Sequence, residues 1–407
     1  MRDRRADAPD LGDHPLFQGI SQGIVQRLDE KGGKQRRNRG DITLITHVRR
    51  NHPRLFQALK LRPEFALAYY NRGNALRSLD RLQDAVASYE RALALRPDYV
   101  EAHYNLGNTL LTADQPQLAT ASFDRVIKLN PNHAEAHNNL GNVFKQNNRL
   151  TEALASYRHA LDCQPHYPEA HSNLLFTMQF LPGLSSSELL TERQRYQERI
   201  EAPLLAKRTA HRNTPNPKKR LRVGYLSPDL RRHAVAFFIE PVLSNHDKNE
   251  VELFGYYNNH VSDDVTQRIT GYMDHWIPCK YVTDEDLAQR IRDDAIDILV
   301  DLTGHTSGNR LPMCAYKPAP IQMTYLGYPG SSGLAAMDFR LTDALADPPG
   351  SEPAYSETLL RMPHSLWCYR PAPGTCHCGN RPRRRPTRHR WSSWRPCIAS
   401  GWCSYRR

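Results

Sequence analysis

A spacing of 34 residues governs the middle of this 407-residue chain. Gly73, Gly107 and Gly141 are 34 apart, as are Ala85, Ala119 and Ala153. The aromatics Tyr89, Phe123 and Tyr157 and the prolines Pro97, Pro131 and Pro165 keep the same interval. Ala58 and Pro63 continue the register upstream, and Asn173 continues it downstream. A fixed period of this length means one supersecondary unit stacked on copies of itself. Small residues let two helices approach closely, the aromatic fills the gap between units, and proline closes the second helix. The pattern predicts a solenoid of three complete helix pairs with half-units at either end.

The unit resembles the tetratricopeptide repeat, a pair of antiparallel helices. One feature goes beyond packing. Asn71, Asn105 and Asn139, with Asn173 in register, hold one position of each first helix, and Asn74, Asn108 and Asn142 lie three residues later. A three-residue step stays on one helix face, so stacking turns these residues into two parallel rows. Asn is a poor interior helix former, and propensity does not explain its recurrence. An amide both donates and accepts, so it can read a peptide backbone whatever its side chains. The rows therefore point to an extended protein or peptide partner. Hydrogen bonding between repeats, or simple duplication of a tolerated polar residue, would produce the same pattern.

Beyond Met178 the signature fades. Residues 185–205 read as one amphipathic helix with a serine cap, and 206–218 as a polar linker. From Leu221 the character changes to alternating strands and helices. LRVGYLS, VELFGYYNN, HWIPC and IDILVDLTG are strand candidates, followed by IQMTYLGYPG, FRLTDAL and ETLLRMP. Helices are expected near Val235–Leu243, Asp263–Met273 and Glu285–Asp294. Near-continuous apolar strands alternating with helices predict a parallel sheet covered on both faces, a Rossmann-like α/β lobe. In such sheets function gathers in the loops beyond the strand C-termini. Three loops qualify. Asp229 and His233 follow the first strand and enter a helix; His305 and Arg310 follow IDILVDLTG, where an arginine suits a phosphate or carboxylate. Leu326, Gly327, Tyr328, Pro329 and Gly330 make a glycine-rich turn that lets a ligand near the main chain. Neither a Walker A pattern nor GxGxxG is present, which leaves an ordinary mono- or dinucleotide loop unsupported.

Charge needs partitioning before it is interpreted. The net +12 suggests nucleic acid, yet +9 lies in residues 371–407 and +4 in residues 1–50, which leaves −1 for 51–370. Nucleic acid is thus not an expected partner of the body of the chain. No apolar run approaches the ~18 residues of a membrane span. Eight irregularly spaced cysteines argue against a secreted disulfide scaffold and for a cytoplasmic setting.

SPDLRRH, DLTGHTSGNRL, KPAPIQMTYLGYPGSSG and MDFRLTDALADP, placed after asparagine-bearing repeats, resemble the O-linked N-acetylglucosaminyltransferases over residues 51–370. The resemblance implies a GT-B fold of two Rossmann-like lobes and transfer of N-acetylglucosamine from UDP-N-acetylglucosamine to Ser or Thr of a protein acceptor. The acceptor would lie along the asparagine rows, with no metal and no cofactor beyond the donor. By motif match His233 takes the position of the active-site histidine, Asp229 that of the acidic residue four before it, and Leu326 and Gly327 that of the loop that contacts the sugar; Tyr328, Pro329, Gly330, His305 and Arg310 are further substrate-binding candidates. His305 stands where some members carry Tyr, and Arg193 stands near the position of a helix histidine found in many bacterial members.

The expected layout is an unaligned, disordered segment 1–50, a repeat solenoid 51–180, a connecting helix and linker 181–218, and a first lobe 219–370. Residues 371–407 contain nine Arg, three of five Trp and four of eight Cys, without Asp, Glu or Lys. Such a composition suggests out-of-frame translation in place of a second lobe, and hence negligible turnover. A zinc site at Cys376, Cys378, Cys397 and Cys403 lacks paired CxxC spacing. The alternative to an enzyme is a peptide-binding repeat scaffold.

Overall fold

The computed structural model describes residues 64–369 apart from 215, 217 and 218. The readings of segments 1–50 and 371–407, and of Ala58 and Pro63, lie outside the described residues.

Three helix pairs follow one another: α1 (Ala66–Ser78) with α2 (Leu82–Leu95), α3 (Val100–Thr112) with α4 (Pro116–Leu129), and α5 (Ala134–Gln146) with α6 (Leu150–Cys163). A further first helix, α7 (Pro168–Met178), stacks on the last pair. The period has a steric origin. A Cβ on Gly107 would lie 2.7 Å from the Phe123 ring, and Gly73 and Gly141 stand in the same relation to Tyr89 and Tyr157. Each aromatic is fully buried against the backbone of its partner helix. Within each pair the turn passes through a left-handed residue, Asp80, Asp114 or Asn148, at φ 57–58°. Asp and Asn adopt that conformation at small cost.

Helix α8 (Ser186–Tyr196) starts with a reciprocal capping box between Ser185 and Glu188. It is shorter than the helix expected over 185–205. After Tyr196 the chain widens into a π-turn, Gln197–Glu201, in which Ala202 N–H bonds to Gln197 O, and then tightens into a 3-10 turn, Ala202–Lys207. Pro203 is the physical reason, since its ring obstructs the carbonyl four residues earlier and it has no N–H to give.

The second half is a seven-stranded parallel sheet of β1 (Leu221–Ser227), β2 (Val251–Tyr257), β3 (His275–Pro278), β4 (Ile298–Asp301), β5 (Ile321–Thr324), β6 (Phe339–Asp343) and β7 (Thr358–Met362). Their order is β3-β2-β1-β4-β5-β6-β7. Helices α9 (Ala234–Leu243), α10 (Asp264–Thr270), α11 (Asp284–Asp293) and the short α12 (Leu311–Cys314) connect them. Side chains alternate between faces. Val223 and Tyr225 pack with Ile239 of α9 on one face, while Leu226, Tyr256 and Leu299 pack with Ile291 of α11 on the other. That second core also contains Leu175 of α7 and Tyr196 of α8, so apolar packing runs unbroken from the last repeat helix into the sheet. Strand order reverses between β1 and β4, and a crevice opens there in sheets of this kind.

Candidate functional site

The crevice at the β1/β4 switch is a cleft of about 320 Å³, and its lining includes Asp229, Arg231, His233, Asn259, Lys280, Thr306, Ser307, Gly308 and Gly327. Its residues come from the loops after β1, β2, β3, β4 and β5. After β1, the Asp229 N–H donates to Ser227 Oγ at 2.9 Å, which bends the chain toward α9. His233 is the cap of that helix, and its Nδ1 accepts the Val235 N–H at 3.3 Å. A ring nitrogen that accepts carries no proton. The neutral ring therefore keeps its proton on Nε2 and offers a donor rather than a base at that atom. Asp229 Oδ2 lies 3.8 Å from His233 Nδ1, and Oδ1 lies 3.5 Å from Arg231 Nη2. Burial raises the Asp229 carboxyl above its ordinary range, against the pull of His233 and Arg231.

Gly327 enters the cleft because the turn after β5 presses on the end of β4. A Cβ there would stand 2.0 Å from Leu302 O. Leu326, half-buried in the core, carries the left-handed conformation of this turn at φ 65°, a strained state for a branched side chain.

Several residues expected to contact a ligand make their hydrogen bonds within the protein and are not part of the cleft lining. Arg310 is spent internally. Its Nη1 bonds Asp284 Oδ1 at 2.6 Å, Nη2 bonds the carbonyls of Cys279 and Val282 at 2.7 and 2.6 Å, and Nε bonds Asn258 Oδ1 at 3.1 Å. His305 is buried, with Nε2 2.9 Å from Ser332 O and Nδ1 3.0 Å from Ser172 Oγ of α7. A carbonyl only accepts, so Nε2 donates and Nδ1 takes the serine hydroxyl's hydrogen. Tyr328 is buried and gives its hydroxyl hydrogen to Leu175 O at 3.3 Å. The carbonyls of Tyr328 and Gly330 accept from Arg340 Nη1, and Pro329 O accepts from Tyr355. The glycine-rich turn is braced from behind by these bonds, and only Gly327 faces the cleft. Thr306, Ser307 and Gly308, from the loop after β4 that the sequence marked, line the cleft, and so do Arg231, Asn259 and Lys280, which as isolated loop residues carry no spacing signal.

Burial pushes the His305 imidazole down from 6.5 to about 3. Unfolded, the ring takes up a proton below about pH 6.5, whereas folded it resists until about pH 3. The stability it contributes is thus complete above pH 6.5 and is lost as pH falls through that window, by about 2 kcal/mol between pH 7 and pH 5. Asp301, raised to about 6 by burial, acts in the opposite sense, so the comparison must be made between variant and parent. His305→Gln, which can still donate to Ser332 O, is expected to lose about 2 kcal/mol less than the parent over that interval in urea unfolding. Equal acid sensitivity would contradict a buried neutral ring.

The asparagine rows bond to each other. Asn105 Nδ2 donates to Asn74 Oδ1 at 3.0 Å and to Tyr70 Oη at 3.0 Å. Asn139 repeats this with Asn108 at 2.7 Å and Tyr104 at 3.3 Å. The hydroxyls of Tyr89 and Tyr157 donate to Asn74 and Asn142, and Asn173 Nδ2 turns instead to Asn138 Oδ1. Bonding between repeats is therefore part of why asparagine recurs. The Nδ2 groups of half-buried Asn74, Asn108 and Asn142 make no hydrogen bond among the described residues.

Comparison with known proteins follows the same division. Residues 73–113 and 104–168 match tetratricopeptide repeat families, and residues 198–370 match glycosyl transferase family 41. The chain thus joins tetratricopeptide repeats to a stretch similar to part of a family 41 catalytic region. The probable UDP-N-acetylglucosamine--peptide N-acetylglucosaminyltransferase SPINDLY of Solanum lycopersicum is 38% identical over 169 residues, 40% of this chain and 18% of the relative. A Caenorhabditis elegans UDP-N-acetylglucosamine--peptide N-acetylglucosaminyltransferase is 36% identical over 156 residues, 37% of this chain and 13% of that protein. A solved Thermobaculum terrenum O-GlcNAc transferase mutant superposes with a TM-score of 0.69 at 32% identity, covering 76% of this chain and 59% of the other. This chain spans less than a fifth of the length of these two curated relatives. No described helix is long and apolar enough to cross a membrane.

Proposed function

We propose that this chain is the repeat region and first lobe of a cytoplasmic GT-B protein O-N-acetylglucosaminyltransferase, with UDP-N-acetylglucosamine as donor and Ser or Thr of a protein as acceptor. The observation that carries the reading is that Asp229 and His233 meet in the cleft at the switch point of a family 41 sheet. The His233 Nε2–H would hydrogen-bond an oxygen of the acceptor or of the donor phosphate, and Asp229 would stabilise the ring if it takes up positive charge. Free thiols at Cys163, Cys279, Cys314 and Cys368 suit a reducing compartment. In a GT-B reaction the departing diphosphate is stabilised from across the cleft, so the described lobe alone is expected to give negligible transfer. The test is a fusion of residues 1–370 to the remaining catalytic part of the Thermobaculum terrenum relative. Peptide glycosylation read by mass spectrometry should appear and fall by about 100-fold in His233→Ala. A folded fusion that binds donor yet transfers nothing would sink the reading.

The asparagine rows support the acceptor side, because the Nδ2 groups of Asn74, Asn108 and Asn142 would donate to peptide carbonyls. Replacing Asn105 and Asn139 by Ala removes the side chains that orient Asn74 and Asn108. Affinity of the 407-residue chain for a Ser/Thr-containing peptide is expected to drop about tenfold. Unchanged affinity in calorimetry would leave the rows a purely structural device. Loss of peptide binding combined with an inactive fusion would favour the scaffold alternative.

A further inference from the structure

The cleft holds more positive charge than its own carboxylate can neutralise. Asp229 is the carboxylate among its lining residues, and it is already shared between Arg231 and His233. Lys280, exposed just beyond β3, makes no hydrogen bond or ion pair among the described residues. Of the acids that follow it in sequence, Asp284 is held by Arg310 at 2.6 Å and Glu285 by Lys207 at 3.1 Å, while Asp286 accepts the Thr283 hydroxyl at 2.8 Å. Arg231 is also under-used. Its Nη2 reaches Asp229 at 3.5 Å, a long contact, and its buried Nε has no hydrogen-bond partner. A buried donor without an acceptor costs free energy that a ligand oxygen can recover. The Ser307 hydroxyl stands exposed on the same wall.

We propose that Arg231 and Lys280 form an oxyanion subsite in this cleft, built to take a carboxylate of the acceptor peptide beside its Ser or Thr, or a phosphate of the donor. The choice between these two sources rests on the proposed transferase reading; the existence of the subsite does not. Two cations against one shared carboxylate leave about one positive charge, which matches a single oxyanion. Arg231 comes from the loop that carries His233 and Lys280 from the loop after β3, and both line the cleft that holds His233. A peptide seated there would need Asp or Glu within a residue or two of the modified hydroxyl, which would make this chain selective for acidic acceptor sequences.

Lys280 is exposed, so Lys280→Gln removes its charge without disturbing the core. Inorganic pyrophosphate, UDP, uridine and two Ser/Thr peptides differing only by a flanking Glu or Gln are titrated into the 407-residue parent and variant. Pyrophosphate is expected to bind the parent, to weaken about tenfold in Lys280→Gln and to weaken further with salt. A Glu peptide that outbinds its Gln twin about tenfold in the parent, but not in the variant, identifies the acceptor carboxylate as the occupant. Twins that bind alike, while UDP but not uridine loses about tenfold, identify the phosphate. If pyrophosphate, UDP and the Glu peptide each bind both proteins equally, or bind neither, the subsite is overturned. Peptide binding that still depends on Asn105 and Asn139 would then leave the transferase reading standing.

Discussion

Arg310→Met is expected to destabilise the lobe by about 3–5 kcal/mol, the range for removing one partner of a buried charged network. Its guanidinium binds the Asp284 carboxylate, two carbonyls from the segment after β3 and the Asn258 amide oxygen after β2. The Arg310 side chain is only 14% exposed, so water cannot replace all four bonds, although Asp284 at 32% can be partly rehydrated and draws the cost toward the lower end. Arg310→Lys should recover only part of the loss, because one ammonium cannot span the fork of acceptors. Urea unfolding with a sheet-region probe measures it. A loss under about 1 kcal/mol, accompanied by weaker UDP binding, would return Arg310 to the ligand-contacting role its place in the loop after β4 suggested.

Gly327→Ala is expected to damage the cleft more than any surface change near it. The added methyl would meet Leu302 O at 2.0 Å, Leu302 C at 2.7 Å and Thr303 Cα at 2.9 Å, all of them backbone atoms with no rotamer to change. Either the turn after β5 or the end of β4 has to move by about an ångström. Overpacking of this kind costs about 1–3 kcal/mol or more, and a displacement of that size at reacting groups can cost about 100-fold in rate. In the fusion described above, transfer should fall by about that factor while peptide affinity at the repeats stays within about twofold. Full activity in Gly327→Ala would show that the turn yields freely.

The repeats could be read from the chain because steric partners recur with them: each glycine is small where an aromatic 16 residues later needs the room. Strands β1 and β2 were equally plain, being apolar on both faces of the sheet. The helix after Ser185 was foreseen but its end was not, since Pro203 acts through a π-turn that has no composition of its own. At the site, sequence named the loops and left open which way their side chains point. His305 and Arg310 have the chemistry of ligand contacts, yet each finds all its partners within the protein. The inter-row bonds among the asparagines stood as one of the alternatives, and only distances could choose it. Lys280 gave no signal, because a single lysine after a strand resembles any solvated surface charge until its neighbours are seen to be occupied.

Helix α7 belongs to the repeats by its asparagine register and to the sheet by its contacts. Ser172 and Leu175 hold the backs of the two loops that reach the cleft, while their neighbour Asn173 bonds back toward the previous repeat. His171 Nε2 lies 2.6 Å from Glu192 of α8 in the same buried seam. Anyone grafting a different set of acceptor-reading repeats onto this lobe should therefore cut between α6 and α7, ahead of Pro168. A graft joined at the end of the repeat signature, near Met178, would carry away the keel on which the cleft is mounted.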